Sequence, residues 1–182
     1  WHKTAPGLSK YFTVIVADLR GYGDSFVLTG GTNHKNYSKR EMAKDMVELM
    51  NQLNFNRFFV AGHDRGGRVA HRMARDFRDK IIALSVLDIC PTLDMYELTD
   101  MKFAKGYFHW FYLIQPAPFP EKMIMENPRR WLKSRFNRSP KGFFRVTEGK
   151  YLRTFKQKKR IYATCEDYRA AATIDLEHDK KD

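Results

Sequence analysis

The sequence predicts an α/β fold with a parallel, doubly wound sheet, because strand-like and helix-like patterns alternate along its first half. Three apolar runs, at residues 11–17, 57–61 and 81–87, are rich in β-branched and aromatic side chains. Uninterrupted runs of this kind are typical of strands that are buried on both faces. Two stretches with helical spacing separate the runs, which predicts consecutive parallel strands joined by crossover helices.

The first of these helices is expected to begin at Ser38. Glu41 stands three residues later, which completes a capping box. The apolar residues that follow fall on one helical face: Met42, Met46, Leu49, Met50 and Leu53. A second helix is predicted directly after the second strand, from the spacing of Val69, Ala70 and Met73.

The composition of the chain changes after Pro91. Aromatic, Met and Pro residues crowd positions 96–119, and helical patterns continue to about residue 160 without a clear strand. This predicts a mainly helical insertion that covers a sheet edge as a cap or lid. We therefore expect three parts: residues 1–91 as the N-terminal part of the core, 92–160 as the helical lid, and 161–182 as the end of the lid and the return towards the core.

The composition is that of a globular protein with an excess of positive charge. Apolar residues make up 43% and charged residues 30% of the 182 residues, and the net charge is +12. This excess predicts a negatively charged partner, either nucleic acid or a small anionic substrate. Much of it lies at residues 129–141 and 153–160, where no nucleic-acid-binding module is found, so we expect a small anion and no nucleic acid.

Several other classes of protein or site are not expected. The sequence contains no run of about 18 apolar residues, so no membrane span is expected. The first residues lack the apolar stretch of a signal peptide. We therefore expect a cytoplasmic protein without a membrane partner. The two cysteines, Cys90 and Cys165, lie far apart and are expected to be reduced thiols. His178 lies in an acidic stretch typical of a surface helix, and no phosphate loop or dinucleotide motif is present. We therefore expect neither a metal nor a cofactor.

The strongest chemical feature is Gly62-x-Asp64-x-Gly66, because a predicted strand enters it and a predicted helix leaves it. This is the context of a nucleophile elbow, a tight turn that lifts its central side chain clear of the sheet. The flanking glycines permit the strained turn. A carboxylate at its centre suits attack on an sp³ carbon, which gives an alkyl-enzyme ester that water then hydrolyses. The alternative is a glycine-rich turn in which Asp64 only caps the helix.

The segment Gly62-His-Asp-Arg-Gly-Gly-Arg-Val-Ala-His-Arg72 resembles the nucleophile segment of the haloacetate (fluoroacetate) dehalogenases, which belong to the α/β-hydrolase superfamily. The resemblance covers nearly the whole chain and includes further segments, at residues 18–25, 86–89, 109–110, 115–118 and 165–170. It implies an α/β-hydrolase fold with a helical lid, in which Asp64 is the catalytic nucleophile.

Arg65 and Arg68 distinguish this sequence from the related epoxide hydrolases and haloalkane dehalogenases, which usually carry Trp directly after the nucleophile. Two guanidinium groups at a helix N-terminus form a site for a carboxylate or another small anion. A cation beside Asp64 also keeps that carboxylate ionised and nucleophilic. The resemblance implies that both arginines hold the substrate carboxylate. The alternative is that one or both form surface salt bridges.

The resemblance also implies roles for four other residues. Asp88, at the end of the third strand, would orient the catalytic histidine. The alternative is that Asp88 ends the strand only because Asp is favoured in turns. His109, Trp110 and Tyr168 would line a halide pocket, where their N–H and O–H groups stabilise the departing fluoride. Without the resemblance, the His109-Trp110 pair would be assigned to the core of the lid.

Two parts of the family pattern find no match in the sequence. In the family, the loop that donates one oxyanion-hole N–H lies upstream of the segment that matches Trp1, and the histidine that activates water lies well beyond the position of Asp182. None of the six histidines matches the latter. We therefore expect a fragment truncated at both ends, which exposes unpaired sheet edges and forms the alkyl ester without turning over.

The predicted reaction is the hydrolytic dehalogenation of a short 2-haloacid such as fluoroacetate, which gives glycolate and halide. Two alternatives stay open. An epoxide hydrolase uses the same nucleophile but needs lid tyrosines that protonate the epoxide oxygen, for which Tyr107, Tyr112 and Tyr162 are candidates. A truncated hydrolase that binds small anions without catalysis is the second. A homodimer is one assembly open to the full-length protein.

Overall fold

The computed structural model describes residues 1–136 and 143–181, except for the side chains of residues 143–146. Its strands are β1 (Phe58–His63) and β2 (Ile81–Leu87). A 3₁₀ turn covers Thr32–Tyr37. The α-helices, in chain order, are α1 (Ala5–Leu8), α2 (Lys39–Gln52), α3 (Arg65–Asp76), α4 (Thr92–Glu97), α5 (Met101–Gly106), α6 (Phe108–Leu113), α7 (Phe119–Glu126), α8 (Pro128–Arg135), α9 (Phe143–Phe155), α10 (Lys158–Ala171) and α11 (Ile174–Lys181).

The two strands form a parallel pair, as the alternating pattern predicts. Their pairing runs from Phe58 opposite Ile81 to His63 opposite Leu87, with one register irregularity between Phe58 and Val60. Parallel strands need a crossover connection, which α3 provides by packing against both strands. The carboxyl ends of β1 and β2 therefore meet at one edge of the sheet.

The predicted first strand is wrong. Residues 13–19 are not assigned to a strand, and Tyr11, Phe12 and Val16 are exposed. An apolar run forms a strand only where a neighbouring strand pairs with its backbone groups, and none does so in the described chain. The ring of Phe12 contacts that of Phe59 on β1, at 5.9 Å between centroids, so the run lies near the sheet without joining it.

The predicted burial of β1 and β2 on both faces is also wrong. Many of their large apolar side chains are exposed: Phe59, Ile82, Leu84, Val86 and Leu87. A parallel sheet buries both faces only where helices cover both. In the described chain α3 packs against the strands, but these side chains remain in contact with solvent.

Ser38 caps α2 as the sequence predicts. Its hydroxyl accepts a hydrogen bond from the backbone N–H of Glu41 at 3.2 Å. The other half of the capping box does not form among the described contacts, because the Glu41 carboxylate accepts from Lys44 Nζ at 2.7 Å instead. The predicted apolar face is buried at Met42, whereas Leu53 lies beyond the last turn and is exposed.

The chain after β2 is helical in its described part, as predicted, and α10 joins it to the core. One buried apolar cluster contains Tyr37, Met42, Ala43, Val47, Phe58, Val69, Met73, Ala163 and Ala170. A second contains Trp110, Leu113, Ile124, Ile161, Cys165 and Tyr168. Residues of α10 belong to both clusters, so this helix fixes the lid helices relative to α2 and α3. The predicted boundaries of the three parts stay predictions.

The two basic stretches have structural roles in their described part. Arg129 pairs with Glu148, and Arg153 Nη2 lies 2.9 Å from Asp24 Oδ2. Arg160 is buried and donates to the backbone carbonyls of Tyr22 and Ser25. Residues 137–142 of the first stretch lie outside the described residues. No helix in the described ranges is both long enough and apolar enough to cross a membrane.

Replacing Ser38 with Ala is expected to lower the free energy of unfolding by about 1 kcal/mol, because an N–H in the first turn of α2 loses its acceptor. Urea-induced unfolding followed by circular dichroism measures the loss. Ser85→Ala, at an exposed position of β2, is the control and should unfold at the wild-type urea concentration. Equal midpoints for the two variants would show that α2 does not depend on this cap.

Candidate active site

Asp64 lies in the turn between β1 and α3, in a conformation that side-chain-bearing residues rarely adopt. Its φ is +51° and its ψ is −121°. The side chain is exposed and makes no capping hydrogen bond to α3, so the alternative that Asp64 serves as a helix cap is wrong. A strained backbone that presents its carboxylate above the strand ends is the geometry of a nucleophile elbow.

The two glycines of the motif contribute differently to this turn. A Cβ atom at Gly62 would lie 2.3 Å from the carbonyl oxygen of Gly66, a distance that real contacts do not show. A Cβ at Gly66 would meet no atom within 4 Å. The predicted steric need for glycine is therefore confirmed at Gly62 and wrong at Gly66.

An open cavity of about 440 Å³ lies at the edge where the two strands end. Its volume is within the range of sites for small organic ligands. The residues that line it are His63, Asp64, Arg68, Asp88, Ile89, Cys90, Met95, Tyr107, His109 and Trp110. The structure thus brings five of the seven predicted site residues to one cavity, whereas Arg65 and Tyr168 are not among the lining residues.

Asp88 directly follows β2, also with a positive φ of +55°. Its side chain is 94% exposed, and its ion-pair partner among the described residues is His63, with 4.0 Å between Nε2 and Oδ2. His63 directly precedes Asp64 and is itself half-exposed. Asp88 is therefore placed beside Asp64 at the cavity, while its role in orienting a catalytic histidine stays a prediction.

Arg68 forms part of the cavity wall and is held by neutral groups. Its Nη1 donates to the carbonyl of Cys90 and to Thr92 Oγ1, each at 2.9 Å, and its guanidinium carbon lies 4.7 Å from the ring centroid of Trp110. Nη2 lies 3.2 Å from the sulfur of Met95. None of the ion pairs in the described part of the chain involves Arg68, although only 6% of the residue is exposed.

The electrostatics of Arg68 reflect this setting. Burial lowers its pKa and the positive charge of Arg65 lowers it further, whereas the charge of Asp64 opposes both. The guanidinium stays protonated, because an arginine pKa lies far above neutral pH. Arg68 is therefore a buried cation at the cavity whose charge is not neutralised by a carboxylate partner, and its Nε is buried without an acceptor.

Arg65 makes different contacts, although it lies on the same turn of α3. It is not among the residues that line the cavity. Its Nε and Nη2 donate to the two carboxylate oxygens of Asp167 at 2.8 and 2.7 Å, and its guanidinium carbon lies 4.2 Å from the ring centroid of Tyr168. The salt-bridge alternative thus holds for Arg65, but the pair is buried and not at the surface. Its Nη1 is buried without an acceptor.

The three predicted halide-binding residues form one aromatic cluster. The ring of Tyr168 lies edge to face with those of His109 and Trp110, at centroid distances of 5.9 and 6.2 Å. Burial raises the pKa of Tyr168, so its hydroxyl keeps its proton at neutral pH. His109 and Trp110 line the cavity, and Trp110 also belongs to the buried lid cluster, while the halide-binding role of the three residues stays a prediction.

Asp167 is the buried partner of Arg65, and the sequence analysis missed it. It is fully buried and accepts from Tyr22 Oη at 2.5 Å in addition to Arg65. Its Oδ1 lies 2.5 Å from Lys39 Nζ. Burial alone would raise the pKa of Asp167, but the charges of Arg65 and Lys39 outweigh it and hold the pKa well below its usual range. Its position directly before Tyr168, in a segment that carries the resemblance, was the signal that could have found it.

Comparison with known proteins fits this geometry. A model of the α/β-hydrolase fold matches residues 1–173. The chain belongs to the α/β-hydrolase family. This confirms the predicted fold class, in which a strand–turn–helix elbow carries the nucleophile.

Individual α/β-hydrolase relatives match along almost the whole chain. A fluoroacetate dehalogenase from Burkholderia sp is 44% identical over 100% of this chain and 61% of its own length. A soluble epoxide hydrolase from Corynebacterium sp. (strain C12) is 32% identical over 98% of this chain and 63% of its own length. A solved structure from Nostoc sp PCC 7120, an α/β-hydrolase candidate, has a TM-score of 0.97 and 51% identity, covering 100% of this chain and 64% of that one. The chain thus spans about three fifths of the length of these relatives.

The elbow geometry predicts opposite results for its two glycines. Gly62→Ala is expected to destabilise the fold by about 1 to 3 kcal/mol, because the added Cβ collides with backbone. Gly66→Ala is expected to leave stability unchanged or to raise it by up to about 1 kcal/mol, because Ala is the better helix former. Thermal and urea unfolding of both variants measure the difference. A more stable Gly62→Ala than Gly66→Ala would contradict the elbow described above.

Proposed function

We propose that this chain carries the nucleophile and the substrate-binding residues of an α/β-hydrolase that dehalogenates a short 2-haloacid, with fluoroacetate as the model substrate. The observation that carries the proposal is the pairing of Asp64, on its strained elbow, with Arg68, a buried cation without a carboxylate partner in the same cavity wall. The 44% identity to a fluoroacetate dehalogenase supports the same substrate class.

In the proposed first step, a carboxylate oxygen of Asp64 attacks the α-carbon of the haloacid. The new C–O bond forms as the carbon–halogen bond breaks, and the halide leaves with the bonding electron pair. Substrate and nucleophile are both anions, and two unit charges about 4 Å apart repel by about 4 kcal/mol at the effective dielectric of a protein surface. Arg68 opposes this repulsion, because its positive charge lies in the wall of the cavity that Asp64 lines and the substrate would occupy.

The departing halide needs donors at the opposite end of the substrate. We assign this role to the aromatic cluster of His109, Trp110 and Tyr168, because His109 and Trp110 reach the cavity and the Tyr168 hydroxyl keeps its proton. Directed N–H and O–H groups stabilise a developing anion most effectively where water is excluded. Fluoride gains most from them, since it is the poorest leaving group among the halides.

Hydrolysis of the resulting ester needs a base that activates water. Asp88 stands at the right strand end to orient a histidine, but its ion-pair partner in the described chain is the half-exposed His63 at 4.0 Å. We therefore assign the alkylation step to the described residues, and we assign the base that activates water in the hydrolysis step to none of them. Asp88 is proposed as the orienting acid of that later step.

An epoxide hydrolase is the second candidate, and one observation favours it. Tyr107 lines the cavity, where its hydroxyl could protonate an epoxide oxygen. The other two candidate tyrosines are engaged elsewhere: Tyr112 Oη donates to the carbonyl of Pro120 at 3.4 Å, and Tyr162 Oη accepts from the N–H of Gly30 at 2.9 Å. A neutral epoxide would also leave the charge of Arg68 without a partner, so the haloacid is the better match.

The decisive experiment is alkylation of the purified chain by fluoroacetate, chloroacetate and bromoacetate, followed by intact-mass spectrometry and peptide mapping. We expect one carboxymethyl ester on Asp64 and none in Asp64→Asn. The Cys90→Ser background removes a thiol that lines the same cavity. If the folded chain forms an Asp64 ester with a small epoxide but with none of the three haloacetates, the epoxide hydrolase is the correct function. If it forms neither ester, the nucleophile assignment is wrong.

Arg68→Gln is expected to slow alkylation by bromoacetate roughly 10- to 100-fold, because the substrate carboxylate loses a charge-assisted hydrogen bond. The neutral analogue bromoacetamide should react with Asp64 at a nearly unchanged rate. Arg75→Gln, which removes an exposed charge near the other end of α3, is the matched control and should behave as wild type with both reagents. An equal loss for bromoacetate and bromoacetamide would contradict the carboxylate-binding role.

A further inference from the structure

We infer that Asp167 is a positioning residue for Arg65 and that it separates the tasks of the two neighbouring arginines. In this inference, which rests on the proposed function, Arg68 attracts the substrate carboxylate by its charge. Arg65, which is not among the cavity-lining residues and whose charge Asp167 already neutralises, contributes one directed N–H to that carboxylate when the substrate binds. The two arginines therefore bind the same group by different means.

The contacts of Arg65 leave only one nitrogen available. Asp167 accepts from Nε and Nη2 through both carboxylate oxygens, and its backbone carbonyl accepts a further hydrogen bond from Nη2 at 2.9 Å. A bidentate pair of this kind fixes the plane of the guanidinium as well as its position. Nη1 remains as a buried donor without an acceptor. Buried donors without acceptors are rare in folded proteins and point to a missing partner.

The two buried N–H donors without acceptors belong to Arg65 and Arg68, which lie on the same turn of α3. Besides Nη1 of Arg65, the Nε of Arg68 is buried without an acceptor. The two guanidinium groups lie over neighbouring rings: Arg65 over Tyr168 at 4.2 Å and Arg68 over Trp110 at 4.7 Å, with 6.2 Å between the two ring centroids. A carboxylate has two oxygens and can accept from both donors at once. The substrate carboxylate is thus the acceptor that fits the two free N–H groups.

Asp167 is itself held in place by a second cation. Lys39 Nζ lies 2.5 Å from Asp167 Oδ1 and 3.1 Å from Asp175 Oδ2, and all of these groups are buried. We call Lys39, Arg65, Asp167 and Asp175 the ion cluster. It contains two cations and two anions, so its formal charge is balanced. Arg65 therefore offers little net charge to a substrate, in contrast to Arg68.

The same turn of α10 supplies the carboxylate and the ring that enclose Arg65. Asp167 binds the edge of the guanidinium, and the neighbouring Tyr168 lies against its face at 4.2 Å. Tyr168 also belongs to the proposed halide-binding cluster. The position of α10 thus sets the carboxylate-binding donor and a halide-binding donor together, which fixes the distance between the two ends of the substrate.

The test compares alkylation of Asp64 by bromoacetate and by bromoacetamide in the whole chain, in the Cys90→Ser background. For Asp167→Asn we expect the bromoacetate rate to fall roughly 10-fold or more, as for other residues that orient a ligand-binding group, while the bromoacetamide rate stays near wild type. A bromoacetate rate that rises would mean that Asp167 acts only through its negative charge. Equal losses with both reagents would mean that it is merely structural. Either result overturns the inference.

Asp45→Asn is the matched control. It breaks another bidentate pair, partly buried, in which Arg20 Nε and Nη2 donate to Asp45 at 2.6 Å each, and neither residue lines the cavity. Its ratio of bromoacetate to bromoacetamide rates should equal that of wild type. If it shows the same selective loss as Asp167→Asn, the effect is not specific to Arg65 and the inference fails.

If Asp167→Asn does not fold, Tyr22→Phe is the variant that tests whether Asp167 positions Arg65. It removes one hydrogen bond to Asp167 and leaves every charge in place. A selective loss of bromoacetate reactivity supports the inference, and an unchanged ratio overturns it. Failure of the proposed function is distinguishable, because the wild-type chain would then form no Asp64 ester with bromoacetate at all.

Discussion

The buried pairing of Asp167 with Arg65 and Lys39 is the interaction on which the arrangement of the site depends. A carboxylate without solvent contact is strongly disfavoured unless cations and hydrogen bonds surround it. Here the surrounding groups come from the first turns of α2 and α3, while the carboxylate comes from α10. Removing one partner of such a pair usually destabilises a protein by about 3 to 5 kcal/mol, because the other charge is left buried. The three helices must therefore keep one relative position.

This constraint explains why the lid and Asp64, the proposed nucleophile, are held together. The elbow holds Asp64 at the strand ends by local backbone geometry, and α3 begins directly after it with Arg65. Because Arg65 is bound to α10, the helix that follows Asp64 is also bound to the helix that carries Tyr168. Strain at the elbow can persist because the surrounding contacts hold both of its sides.

The sequence predicted the features that depend on local signals. The helix cap at Ser38, the strand Ile81–Leu87 and the elbow at Asp64 each follow from residues close together in the chain. The first apolar run did not form a strand, because strand formation depends on a neighbour that lies elsewhere. The requirement for glycine was overestimated at Gly66, since spacing alone does not show which Cβ would collide.

The site residues show the same division between local and distant information. Arg68 and the aromatic cluster were found through motifs, and the structure brings them to the cavity. The partner of Arg65 was missed because Asp167 lies 102 positions away, and no local pattern links a carboxylate in one helix to a guanidinium in another. A buried acid is also uncommon enough that sequence reasoning assigns most Asp residues to the surface.

The most direct test of this account is a crystal structure of the Asp64→Asn, Cys90→Ser chain with bromoacetate bound, in which anomalous scattering locates the bromine. We predict that the carboxylate contacts Arg68 Nε and Arg65 Nη1, with the α-carbon facing residue 64 and the bromine against the aromatic cluster. The reverse orientation, with bromine beside the arginines, would contradict the proposed site. So would a carboxylate that contacts neither arginine.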